Sequence, residues 1–336
     1  MERNIVKTLT SVMKEGKKIA CLSGNRNLDE KIKCRGNQIM KDNNLSDSCL
    51  LDDSCYIFDT HAHYFHKCFD NMPNEINREE LLKAIYKSNI KKCIVPAINY
   101  WTNFEMKRLF DKPEYKWIYY AHASHPKYLR KEVHEWNEER WNEYAELLSS
   151  PKCIAVGETG LDYSYSSFCL EHQKLQKKFF EIFIDYANKY QLPAILHIRS
   201  GAKEEFEYNR CNIDADKDAI SILKKHPLEF GAVYHCFDGD IAKAKSYYDM
   251  GVNYFGIGGQ IFYEEELGKA VRFMPEESIV LETDAPYINL PERIGPNTSI
   301  SLWNIAEKVA SIRGTTKERI IELTTKNSEK LFRIRE

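Results

Sequence analysis

Eight short apolar runs, each followed by a polar stretch long enough for a helix, limit the folds open to this chain. The runs are 56–61 (YIFDTH), 92–98 (KCIVPAI), 117–122 (WIYYAH), 152–158 (KCIAVGE), 193–198 (PAILHI), 231–237 (GAVYHCF), 253–258 (NYFGIG) and 278–283 (SIVLET). They are nearly continuous in apolar residues rather than alternating, as strands buried on both faces of a parallel sheet are. The stretch 171–190 sets Leu175, Phe179, Phe183, Tyr186 and Tyr190 at helical spacing, with Pro193 just beyond. Thr315 and Glu318 have capping-box spacing ahead of a helix over 319–331. Eight strands alternating with helices predict an α/β fold of the (β/α)8 TIM-barrel type, which takes about 250 residues. The chain has 336, so a barrel over 55–336 leaves residues 1–54 as an N-terminal extension.

That extension is poor in aromatics and carries polar clusters such as GNRN and KDNNLSDS. It offers one helical pattern, over 4–19, and reads either as a mobile extension or as a small appended helical element that contacts a partner protein. The stretch 201–218 is charge-rich without a clear period and is expected to be a long loop. Hydrophobic residues at 43% and charged residues at 29% are ordinary for a globular protein. No apolar run approaches the ~20 residues of a membrane span, and the first residues lack the apolar core of a secretory signal. The ten cysteines form no CxxC pair, so reduced thiols, a cytoplasmic location and no membrane association are expected. A net charge of −2 advertises no global attraction to nucleic acid, so such a partner must be gripped locally.

Polar residues gather at the C-terminal ends of the runs, the face that carries catalysis in this fold. Run one ends in Asp59-Thr60-His61-Ala62-His63, and residues i and i+2 of a strand share a side. Glu158 ends run four, His197 and Arg199 end run five, His235 lies in run six, and Asp284 follows run eight. Charges at a buried barrel mouth are costly unless paired or metal-bound. Imidazoles mixed with carboxylates suit Zn, Mn or a similar divalent ion. The ligand set His61, His63, Glu158, His197, His235 and Asp284 exceeds one tetrahedral site. It suits two ions about 3.5–4 Å apart with Glu158 as the bridge, an arrangement that activates water for hydrolysis. Whether the scissile bond is an amide or a phosphoester stays open at this point.

From Tyr56 onward the chain resembles the TatD family of metal-dependent deoxyribonucleases, within the amidohydrolase-type barrels. The resemblance lies in FDTHAH, VGETGLDY, LPAILHIR, VYHCFDG, GIGG, LETDAPYINLP and TTKNSEKLF. It implies a deoxyribonuclease, often an exonuclease on single-stranded DNA, using Mg, Mn or Zn. It implies further that His61, His63 and Asp284 hold one ion, that His197 and His235 hold the other, and that Glu158 bridges them. Asp284 would also accept a proton from the attacking water. His125, in SHP, and Arg199, in HIR, would touch the substrate phosphate, and Asp162 would orient its neighbours. The chain departs from the family pattern at Ser200-Gly201, where an acidic residue is usual, and at 293–299; both lie at the rim, where substrates are chosen.

Trp117, Trp136, Trp141 and Trp303 are expected to pack helices on the barrel rather than stack on bases, and 134–146 to form an exposed helix. Lys127, Arg130 and Lys131 form a small basic group after SHP. Gly256-Ile257-Gly258-Gly259 is expected to let a strand turn tightly below the site. Two other functions compete with the nuclease. One is an amidohydrolase or deaminase acting on a small molecule, but many such barrels use a carboxylated lysine where this chain has Glu158. The other is a non-catalytic scaffold subunit.

Overall fold

The structure is a computed structural model that describes residues 56–72, 76–164, 170–201, 213–291 and 295–334. The expected helix over 4–19, the docking role of 1–54 and most of the 201–218 stretch lie outside the described residues.

Eight parallel strands pair in strict sequence order: β1 Ile57–Asp59, β2 Ile90–Pro96, β3 Ile118–His122, β4 Cys153–Asp162, β5 Ala194–Arg199, β6 Ala232–Tyr234, β7 Tyr254–Ile257 and β8 Ile279–Leu281. The first and last strands meet through Thr60 N donating to Leu281 O (3.1 Å) and Asp284 N donating to His61 O (2.8 Å). The sheet thereby rolls into the expected (β/α)8 barrel. Every strand contributes to one cluster that fills the lumen: Phe58, Ile94, Ala121, Ala155, Ile195, Val233, Tyr254 and Val280.

Helices α1 Arg78–Lys87, α2 Tyr100–Phe110, α3 Glu138–Leu148, α4 Leu170–Lys189, α5 Ala215–Leu223, α6 Ile241–Tyr248, α7 Glu265–Phe273, α8 Leu302–Arg313 and α9 Lys317–Phe332 surround the strands. Asn77 and Asn99 start α1 and α2 with reciprocal capping boxes. In α4 the buried residues Gln176, Phe179, Phe180, Phe183, Ile184 and Ala187 repeat at three and four, so one stripe faces the barrel. Leu331 and Phe332 at the end of α9 join the lumen cluster from below, and the rings of Phe58 and Phe332 lie 6.0 Å apart.

Three local expectations change. Helix α5 begins inside the stretch expected to be loop, because the Asp214 side chain caps it by accepting from Lys217 N. Helix α9 is capped by Thr316, which accepts from Arg319 N, rather than by a Thr315–Glu318 box. The expected exposed helix over 134–146 starts only after the Asn137 cap and buries Tyr144, Leu147 and Leu148. Trp136 and Trp141 pack beside Tyr144 and Phe183 in that layer. Trp117 is buried, and Trp303 Nε1 donates to Ser88 O, so the tryptophans pack helices as expected. No helix among the described residues is long and apolar enough to cross a membrane.

Candidate metal centre

The segment after β1 alternates its backbone partners: Ala62 N donates to Ile94 O and His63 N to Ala285 O. This strand-like alternation aims both flanking imidazoles into the mouth, where His61 Nε2 and His63 Nε2 stand 3.1 Å apart. His63 Nδ1 sits 3.2 Å from Pro96 O. Donation to that carbonyl places the proton on Nδ1 and leaves the Nε2 lone pair facing the site.

Glu158 lies midway along the long strand β4 and is only 2% exposed. Its Oε2 is 3.5 Å from His61 Nε2 and 3.7 Å from His63 Nε2. Its Oε1 is 3.0 Å from His197 Nδ1, 3.6 Å from His125 Nε2 and 3.8 Å from His235 Nε2. Asp284 Oδ1 approaches His63 Nε2 at 3.2 Å, and His61 and His235 at 3.8 Å each. Four groups of side chains that could hold a metal overlap here: His61, His63 and Glu158; His61, His235 and Asp284; His125, Glu158 and His197; and His235, Cys236 and Glu282.

The structure thus brings all six expected ligands together and adds His125. His235 stacks on His61 with ring centroids 3.4 Å apart, whereas its ring is 6.4 Å from that of His197. Arg199 ends β5 with its side chain exposed at the rim. The basic group is likewise exposed, Lys127 on the turn after β3 and Arg130 and Lys131 on the short helix Leu129–Glu132 that follows it.

The charge state of the cluster follows from its surroundings. Burial pushes His61 down to about 3, and His235 beside it adds to the effect. Burial also pushes His125 down to about 3, reinforced by His197. Burial would lower His197 and His235 as well, but the neighbouring carboxylates win. Asp162 and Glu158 hold His197 up at about 10, and Glu282 with Glu158 holds His235 at about 9. Burial alone would raise Glu158, but His125, His61 and His197 hold it well below the usual carboxylate range. The carboxylates demand positive charge at this spot, and two imidazoliums supply it. A divalent cation fits the same demand, with nitrogen and oxygen donors already converging and no lysine or arginine paired into the cluster among the described residues.

Two buried carboxylates that the sequence reading did not single out brace the candidate ligands. Asp59 accepts from Thr283 Oγ1 (2.7 Å), Ser299 Oγ (2.5 Å), Thr283 N (3.1 Å) and His61 N (3.2 Å), tying β1 to the segment that carries Asp284. Burial pushes its carboxyl up to about 7 despite these bonds. Glu282 Oε1 lies 3.0 Å from His235 Nδ1 and accepts from Cys236 N at 2.6 Å. Gly256 is glycine for this reason: a Cβ there would collide with the Glu282 carboxylate, so its role is room for an acid rather than the expected tight turn. Asp162 meets His197 Nε2 at 3.1 Å, in the orienting position expected of it. Both Asp59 and Glu282 flank motif residues, and an acid placed within an otherwise apolar buried run was the available signal.

The profile of the TatD related DNase family matches residues 58–333. The chain belongs to the TatD family. An uncharacterized metal-dependent hydrolase of Buchnera aphidicola is 32% identical over 285 residues, covering 83% of this chain and all of that one (100%). The 3'-5' ssDNA/RNA exonuclease TatD of Citrobacter rodentium is 26% identical over 272 residues, 77% of this chain and 92% of its own. The crystal structure of an Escherichia coli TatD homologue superposes with a TM-score of 0.67 at 25% identity, covering 84% of this chain and 99% of the other. The chain is therefore a TIM-barrel protein of a metal-dependent hydrolase family.

Proposed function

We propose that this TatD-family hydrolase cleaves phosphodiester bonds of single-stranded DNA, as an exonuclease, with two divalent ions of the Mg, Mn or Zn class. One observation carries the reading. Glu158 presents one oxygen to His61 and His63 and the other to His197, His125 and His235, as a bridge between two ligand groups must. The exonuclease function of the Citrobacter relative supports the choice of nucleic acid, and a glutamate in place of a carboxylated lysine supports phosphoester over amide.

In this reading His61, His63 and Asp284 would hold one ion, His197 and His235 the other, and Glu158 would serve both. Ions bound there supply Lewis acidity, which lowers the pKa of water and neutralises phosphoryl charge. The protein does the rest. Asp284, at 14% side-chain exposure the most open of the site carboxylates, accepts the proton of the attacking water. His125 from inside the cluster and Arg199 from its exposed edge orient the phosphate in line. Asp59, Asp162 and Glu282 keep the imidazoles aimed. The described cysteines 68, 93, 153 and 236 are free thiols, which suits action in a reducing cytoplasm.

The test pairs metal analysis with an assay on end-labelled single-stranded DNA in Mn. Glu158→Ala should lose about a hundredfold to a thousandfold in activity, the scale of removing a central electrostatic group, and should retain less metal while its circular dichroism still shows a folded barrel. Cleavage at the wild-type rate would reject the assignment, and turnover of cyclic amides with no DNA cleavage would favour the amidohydrolase reading.

A further inference from the structure

We propose that Tyr287 is a stacking platform for a nucleobase of the strand whose phosphate lies at the histidine–carboxylate cluster. The inference rests on the nuclease reading above and adds a binding subsite to it.

The first observation is where the ring sits. Tyr287 follows Asp284 by three residues, and its N–H donates back to Asp284 O at 2.8 Å. Its ring makes a T-shaped contact with His63, with centroids 5.8 Å apart and planes at 67°, and another with His66 at 5.9 Å and 70°. His63 Nε2 in turn lies 3.2 Å from Asp284 Oδ1, so the phenol borders the cluster directly.

The second observation is that the ring is open yet its backbone is pinned. Tyr287 is 45% exposed, although most large aromatics among the described residues are buried. Asn297, fully buried, clamps the loop: its N–H donates to Pro286 O (3.0 Å), and its Nδ2 donates to Thr283 O (3.0 Å) and Ile288 O (3.1 Å). Ile288 is held at a φ of +47°, a conformation rare for a β-branched residue. A rigid loop presenting an open aromatic face is what base stacking uses, at low ordering cost and without sequence preference.

The third observation is a neighbouring ring. Tyr128, half-buried, flanks His125 with ring centroids 6.2 Å apart and carries a second aromatic edge to the same mouth. One sugar separates a phosphate from its own base, so a phosphate at the cluster brings that base within reach of Tyr287.

The experiment compares wild type, Tyr287→Ala, Tyr287→Phe and Tyr287→Trp in Mn on two substrates. One is a labelled single-stranded oligonucleotide; the other is the same strand with its two terminal nucleotides at each end made abasic. On the intact strand Tyr287→Ala should lose about tenfold to a hundredfold in kcat/KM, mostly through KM, the span of one base stack. Phe should keep wild-type behaviour, and Trp should lower KM. On the abasic strand all four should run alike, with metal content and melting temperature unchanged. Two outcomes overturn the proposal: Tyr287→Ala matching wild type on the intact strand, or losing equally on both substrates, which would mean that the ring only braces His63. A wild type that cleaves neither strand overturns the nuclease reading itself and this inference with it.

Discussion

At the lower end of the barrel, Leu331 and Phe332 of α9 close the lumen against Phe58, Ile94 and Val280. At the upper end, His61, His63, His125, His197 and His235 crowd around Glu158 and Asp284 at 3.0 to 3.8 Å. The floor is stabilised by apolar area removed from water, which is favourable by roughly 25 cal/mol per Å². The mouth holds buried charges whose desolvation opposes folding and whose mutual pairing only offsets that cost. One end therefore supports the fold and the other stores chemistry, so mutations at the two ends should separate stability from activity. The sharpest separation should come from Phe332→Ala. It should cost about 3–5 kcal/mol in chemical denaturation, as large-to-small core changes do, with metal content and kcat unchanged in the surviving folded protein. A loss of metal in that variant would show that the two ends are coupled, and the contrast drawn here would fall.

Within the mouth, the contrast is between side chains that reach the candidate ions and those that aim them. Glu282 is 1% exposed and faces away from the ligand overlap, toward His235 Nδ1 and Cys236 N. Glu282→Gln keeps the shape and one acceptor oxygen but removes the charge behind His235. We expect about 10–100-fold weaker metal binding, the usual cost of losing an orienting partner, read by calorimetric titration of metal-free protein. Affinity equal to wild type would place His235 outside the ligand set.

The same contrast explains how much could be read before the structure. Strands buried on both faces announce themselves as unbroken apolar runs, so all eight, and with them the barrel, were legible. The candidate ligands were legible as a group because polar residues stand at or just past the ends of such runs. What the chain order hides is the pairing across it. Asp59 meets Ser299 across 240 positions, and no periodicity links two residues that far apart. Gly256 looks like a turn residue until the Glu282 carboxylate is seen against it. Tyr287 sits in plain view within LETDAPYINLP, but the exposure that singles it out is a property of the folded loop. Helix starts failed on a finer scale: Thr315 and Thr316 are equally good caps by type, and backbone geometry alone selects Thr316. The metal roles of single residues, and any role for 1–54, rest on resemblance and proposal.

The finest test of the contrast uses a histidine outside the mouth. His122 ends β3, is 1% exposed, and sets its Nδ1 3.0 Å from the Asn103 amide oxygen. Lys107, Glu143 and Glu146 line the cavity beside it. Burial, with Lys107 in support, pushes it down to about 3, whereas carboxylates hold His197 at about 10. The folded ring thus stays neutral while the unfolded one takes a proton below about 6.5. Between those values the unfolded state binds more protons, so this contribution to stability is present above pH 6.5 and is lost as pH falls. From pH 7 to 5.5 the loss should be about 1 kcal/mol. Urea denaturation of wild type and His122→Gln at the two pH values isolates it, because every other titrating group is common to both. The variant should lose less stability on acidification by that amount. Equal losses would mean that His122 is protonated in the fold, which would require a negative partner such as Glu143 or Glu146 to reach it as Asp162 reaches His197.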